Sequence, residues 1–176
     1  MLFNSFVFLI FAAAFYILWP LARRRKQTRW LLISTASFFF YGWWDWRYTF
    51  LLLAIGGITF VFGLLLDLYP LKKKLILIAY LIINLGTLFA FKYLGFVTGA
   101  VNNLFSVFGL EAPVPSYSLV LPIGVSFFTF QSITYIAEIY KGTEKPTRSL
   151  LHYLSFASIF PHLVAGPILR AKDILP

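Results

Sequence analysis

The sequence contains no cysteine, which excludes disulfide staples, thiolate metal centres and a cysteine nucleophile, and leaves the redox compartment open. Charge is scarce as well: 12% of the 176 residues are charged, and only six of them are acidic. Asp67, Glu138 and Asp173 stand scattered near the ends of apolar runs, and nothing in their spacing makes a paired acid and base. Histidine occurs twice, as His152 and His162, so any histidine acid–base chemistry in this chain rests on those two. His-plus-carboxylate spacing suited to a metal ion does not occur. No internal repeat or low-complexity tract is found.

What is abundant is apolar and aromatic. Hydrophobic residues make up 60% of the chain, the mean hydropathy is +0.83, and there are 21 Phe, ten Tyr and five Trp. That composition belongs to a membrane protein, in which aromatic rings fill lipid-facing surface and interfacial belts. The net charge of +9 sits in short clusters beside apolar runs: Arg23 to Lys26 with Arg29, then Lys72 to Lys74, then Lys141, Lys145 and Arg148. Without a basic face or recognition motif between them, these clusters read as juxtamembrane topology determinants with some attraction to anionic lipid, and nucleic acid is not an expected partner.

The apolar runs are residues 2–19, 30–44, 48–66, 75–91 and 119–139. A secretory signal would carry its positive charge before the first run; here the cluster follows it, so the run reads as a retained span. Lys and Arg number five in loop 20–29, one in 45–47, three in 67–74, one in 92–118 and three in 140–149. The alternation predicts an extracytoplasmic N-terminus and five crossings. Residues 93–118, patchily apolar and interrupted by Gly109, Pro113 and Pro115, read as a short interfacial helix and a loop. The expected fold is all-α: one polytopic helical membrane domain over residues 1–176, with about five transmembrane helices, that interfacial helix and a broken, re-entrant C-terminal element.

Three segments carry polar or irregular features. Residues 41–48, with five aromatic residues around Asp45 and Arg47, read as an interfacial belt at a tight turn in preference to an aromatic substrate platform. In the fifth span, Gln131, Thr134, Tyr135 and Glu138 recur at i, i+3, i+4 and i+7 and so share one helix face. Such a stripe is costly in hydrocarbon unless it meets other helices or water, and both inter-helix hydrogen bonding and the lining of a polar tunnel fit it. The last run, Phe160 to Arg170, is apolar but holds Pro161, Gly166 and Pro167, which forbid a continuous helix. Irregular backbone at membrane depth must be buried in protein or line a wet cavity. His162 reads there as a structural histidine capping irregular backbone, and His152 as an interfacial one.

The opening Met1-Leu2-Phe3-Asn4-Ser5, the run from Leu121-Pro122-Ile123-Gly124-Val125-Ser126 through Gln131-Ser132 to Ile139-Tyr140-Lys141-Gly142, and Phe160-Pro161-His162-Leu163-Val164-Ala165-Gly166-Pro167-Ile168-Leu169-Arg170 together resemble the start of the membrane-bound O-acyltransferases, in particular the bacterial alginate O-acetyltransferase type. The resemblance runs along essentially the whole chain. It implies a bundle around a tunnel, a membrane-embedded histidine needed for transfer, and an acetyl group from acetyl-CoA or another acyl carrier. It further implies relay to periplasmic polysaccharide-modifying proteins and a polysaccharide acceptor, in the inner membrane of a bacterial cell. The family's essential histidine stands in a segment well downstream, absent before Pro176, and His162 takes a place where glutamine is expected. The resemblance therefore implies no catalytic residue in this chain, no cofactor bound to it, and an N-terminal part inactive alone. Pro161, His162, Gly166, Pro167 and Arg170, with the stripe of the fifth span, are the expected tunnel or structural residues. Related D-alanyl transfer proteins, and outside the family a transporter, an assembly scaffold or a truncated gene product, remain alternatives.

Overall fold

The computed structural model describes residues 5–43, 45–110, 115 and 124–160. Among them there is no strand, and six α-helices follow one another: α1 (Phe6–Ala22), α2 (Lys26–Gly42), α3 (Trp46–Leu68), α4 (Lys73–Val107), α5 (Val125–Lys141) and α6 (Leu150–Ala157), with a 3₁₀ turn, Pro70–Lys72, leading into α4. Local chemistry sets several boundaries. The side chain of Ser5 accepts from the Phe8 N–H to start α1, and Asp45 accepts from the Arg47 N–H at 2.9 Å to start α3 directly after the aromatic turn. Gly142, at φ +76°, closes α5: its own N–H and that of Thr143 return to carbonyls of the last turn, a left-handed cap that suits glycine.

α3 (Trp46–Leu68) and the stretch Pro70–Val107 are long and apolar enough to cross a membrane. α1, α2 and α5 have 17 residues each, about 25 Å at 1.5 Å per residue and at the lower limit for a crossing. α6 has eight, too short to span alone.

The structure corrects the reading of residues 93–107. They form no separate interfacial helix but continue α4 past Lys92 to Val107, giving 35 residues, about 52 Å, more than the hydrocarbon thickness of a bilayer. Gly95 and Gly99 weaken a helix by only about 1 kcal/mol each, and no proline interrupts the segment. Its polar side chains bond back to the helix itself: Thr98 Oγ1 to the Leu94 carbonyl at 2.9 Å, and Ser106 Oγ to the Asn103 carbonyl at 2.7 Å. The helix yields at Gly109, which takes φ +68°.

α3 is the centre of the bundle and packs against α2, α4, α5 and α6. Its buried positions, Leu52, Ile55, Gly56, Thr59, Gly63 and Leu66, recur three or four residues apart and form one stripe. Two of them are glycines for a steric reason. A Cβ on Gly56 would stand 2.7 Å from Leu154 Cδ2 of α6, and one on Gly63 would stand 3.3 Å from Tyr135 Cε1 and Ile139 Cδ1 of α5. Small residues at such crossings let helices approach closely where lipid supplies no hydrophobic drive for association.

Two contacts orient the bundle ends. Arg148 binds Asp67 at 2.7 Å, which brings loop 142–149 to the C-terminal end of α3 and the lysines that follow it. The His152 and Trp30 rings stand 5.3 Å apart, joining the starts of α6 and α2. The three basic clusters thus gather at one end of the molecule, and the exposed Trp43 and Trp46 lie at the other.

Gly56→Leu should destabilise the protein by about 2 kcal/mol through overpacking against Leu154, whereas Gly57→Leu, which meets open space, should be close to neutral. Unfolding midpoints in mixed micelles distinguish these outcomes.

Candidate functional site

Four helices bring polar side chains to one buried point. Thr59 of α3, Tyr80 and Asn84 of α4, Ser132 of α5 and Tyr153 of α6 are all buried, with Thr59, Tyr80, Ser132 and Tyr153 fully enclosed. Helical rise places the backbones of three of them at a similar depth. Tyr80 lies seven residues beyond Lys73, Thr59 nine before Leu68, and Ser132 nine before Lys141. These offsets put all three about 10–14 Å from the basic end, near the middle of a bilayer-sized hydrocarbon slab.

The hydrogen bonds run in one direction. Thr59 Oγ1 donates to the Ile55 carbonyl at 2.8 Å, so the Tyr80 hydroxyl, 3.1 Å away, donates to Thr59. Tyr80 in turn accepts from the Asn84 amide. The Ser132 and Tyr153 hydroxyls, likewise fully buried, pair with each other at 3.1 Å. Towards the basic end, the Tyr135 ring packs on Tyr153 with centroids 4.9 Å apart, and its hydroxyl accepts from the Thr147 N–H at 3.0 Å. A polar seam thus leads from the middle of the bundle to loop 142–149.

The expected stripe of α5 divides. Gln131 and Tyr135 are buried in the bundle. Thr134 is instead only partly covered and returns its hydroxyl to the Phe130 carbonyl at 3.0 Å, so it takes no part in the seam. Glu138 is half-buried near the basic end, and its Oε2 has no partner among the described residues. Sequence reasoning missed Thr59, Tyr80, Asn84 and Tyr153. The signal available was the i, i+4 pair Tyr80 and Asn84 inside an otherwise aliphatic run.

Two further buried groups border the seam without partners among the described residues: Asn84 Oδ1 and Thr129 Oγ1. Native proteins leave few such groups, and each calls for an explanation. Chemically the cluster offers hydroxyls and amides without a base. No carboxylate or imidazole belongs to it, and no group of three or more metal-ligating side chains occurs among the described residues. The arrangement can order helices and present a polar lining.

A second, smaller seam anchors α6 and the residue after it. Ser155 Oγ lies 2.7 Å from Ser34 Oγ and 2.9 Å from the Trp30 carbonyl. Ser37 Oγ donates to the Ile33 carbonyl and accepts the Phe160 N–H at 3.1 Å. The Phe160 ring sits in a cage of Phe11, Phe15 and Phe40, with centroids 5.2, 5.4 and 5.7 Å away. Phe160 is where the broken run begins. Pro161, His162, Gly166, Pro167 and Arg170 lie outside the described residues.

Replacing Tyr80 by Phe should cost about 1–2 kcal/mol, because the Asn84 donor and the Thr59 acceptor each lose a partner. A double-mutant cycle with Thr59→Val, followed by unfolding in mixed micelles, should return a coupling of about 0.5–1.5 kcal/mol.

No family model and no solved structure matches the chain. Curated relatives do. It is 39% identical over 181 residues to the probable alginate O-acetylase AlgI of Pseudomonas aeruginosa, covering 99% of this chain and 34% of that protein. To the protein of the same name from Azotobacter vinelandii it is 36% identical, over 99% of this chain and 35% of the relative. The peptidoglycan O-acetyltransferase of Helicobacter pylori is 32% identical, over 84% of this chain and 32% of its own length. The chain spans about a third of the length of the curated relatives it matches.

Proposed function

We propose, given that this chain belongs to the bacterial alginate type of membrane-bound O-acyltransferase, that it supplies part of the tunnel wall of an enzyme that acetylates hydroxyls of an exopolysaccharide. The observation that carries this reading is similarity to O-acetylases along 99% of the chain. The buried seam adds a physical reason, since polar groups held at mid-membrane depth by four helices suit the lining of a passage for a polar acyl carrier. In this reading Gln131 and Tyr135 belong to the wall with Thr59, Tyr80 and Ser132. Phe160, anchored on Ser37, fixes where the Pro161–Arg170 element departs.

The acyl donor, acetyl-CoA or another carrier, reaches the seam from the side of the basic loops, and the acetyl group is relayed to periplasmic polysaccharide-modifying proteins. Family resemblance puts the histidine needed for transfer downstream of Pro176, so residues 1–176 alone have no transferase activity. The Helicobacter pylori relative supports a second acceptor, peptidoglycan. Ester-bound acetate should appear on exopolysaccharide when the gene region encoding this chain, read in full, is expressed in a producing host that lacks its own O-acetylase. The 176 residues alone should give none. Acetate found only on peptidoglycan would replace the acceptor, and transfer by the short chain would overturn the inactivity.

The topology that goes with this function has five crossings through the inner membrane, an extracytoplasmic N-terminus and the basic loops inside. The gathering of those loops at one end supports it. Because the chain has no cysteine, single cysteines report sidedness cleanly. Cysteines replacing Lys73 and Lys145 should resist a membrane-impermeant maleimide applied from outside, and one replacing Trp46 should react.

A further inference from the structure

At the end where the basic loops gather, the first turns of α2 and α6 border an open cavity of about 640 Å³ that the polar seam does not use. Lys26, Gln27, Thr28, Ser149, Leu151 and His152 line it. Its charge is one-sided. Lys26 opens α2, and the Arg29 guanidinium stacks 4.9 Å above the Trp30 ring, which in turn lies 5.3 Å from His152. No carboxylate lines the cavity among the described residues, and Asp67, an acid at this end, is held by Arg148. The donors are also unsatisfied. No side chain caps the first N–H groups of α2, which carry the positive end of the helix dipole.

We propose that this cavity binds a phosphate ester at the membrane surface. Lys26 supplies the charge, the Lys26–Thr28 amides and the Thr28 and Ser149 hydroxyls supply donors, and His152 forms the opposite wall. Ammonium, hydroxyl and helix-terminal N–H groups converging without a competing acid are the donor set that phosphate oxygens take. Burial first, then the neighbouring Lys26 and Arg29 charges, hold the His152 pKa below its usual value. Leu31, apolar and 55% exposed, lies on the same rim. It gives a lipid tail somewhere to rest, which favours an anionic lipid headgroup over a soluble phosphate. The proposal is independent of the acyl-transfer reading and requires only that this end of the bundle lies at the membrane surface.

Native mass spectrometry can count lipids retained by the full-length protein from micelles holding equal phosphatidylglycerol and phosphatidylcholine. One phosphatidylglycerol should be kept in preference by roughly tenfold, equivalent to about 1.4 kcal/mol. Lys26→Glu should abolish the preference and Lys26→Arg should keep it. Lys73→Glu, the same charge change at the same end but outside the cavity, should leave it intact. Lys26 is exposed, and circular dichroism checks that the variants remain folded. Competition by added inorganic phosphate would show that the site accepts the phosphate group from either source, and its failure to compete would identify the lipid. Equal retention by wild type and Lys26→Glu, equal loss in Lys73→Glu, or binding of neither phosphatidylglycerol nor phosphate would each overturn the proposal.

Discussion

Hydrocarbon offers no hydrogen-bond partner, and the interior of this bundle is organised around that constraint. Once Tyr80, Thr59, Ser132 and Tyr153 stand at mid-depth on four different helices, their hydroxyls must find one another or remain unpaired at a cost of several kcal/mol. A single such bond contributes only about 0.6 kcal/mol in a membrane protein. The cluster matters more for register: each helix has one axial position and one rotation at which its hydroxyl reaches the shared point. The glycines of α3 follow from the same requirement. Thr59 can meet Tyr80 only if α3 comes close to its neighbours, and Gly56 and Gly63, on the same stripe, remove the side chains that would hold α5 and α6 away.

The serines on α2 extend this logic to the shortest helix. An eight-residue helix has few internal bonds and little intrinsic stability, so the position of α6 must come from its surroundings. Ser34 and the Trp30 carbonyl hold Ser155, and Gly56 lets Leu154 settle against α3. Ser37 then fixes the backbone at Phe160, and three phenylalanines from α1 and α2 fix its ring. α1, otherwise weakly engaged with the bundle, contributes through this aromatic contact.

Much of the architecture was legible because composition and charge placement act at long range. The apolar runs became helices, and the basic clusters came together at one end. The extension of α4 was not legible, because the breakers at Gly109, Pro113 and Pro115 made the patchily apolar stretch before them read as a short separate helix, whereas its threonine and serine hydroxyls bond back to the helix and let it run on to Val107. The stripe of α5 divides for a related reason. Periodicity assigns residues to a face but cannot say which part of that face meets a neighbour, so Gln131 and Tyr135 went inside while Thr134 satisfied itself on its own helix. Tyr80 and Tyr153 passed unnoticed because a tyrosine in a membrane sequence usually marks an interfacial belt. Only its partners on other helices show that it is structural.

Asn84 Oδ1 and Thr129 Oγ1 are among the buried groups that this economy of hydrogen bonds does not absorb within the described residues. Had the seam served packing alone, valine at position 129 or leucine at position 84 would fill similar space without a desolvated acceptor, and replacing both partners of a buried bond by apolar groups can be nearly neutral. The retained acceptors make sense where something polar passes or is held beside them. A hydroxyl seam with no imidazole or carboxylate in it cannot abstract the proton that acyl transfer to an alcohol requires. Among the described residues its chemistry is therefore that of hydrogen bonding between helices, and a base would have to come from outside them.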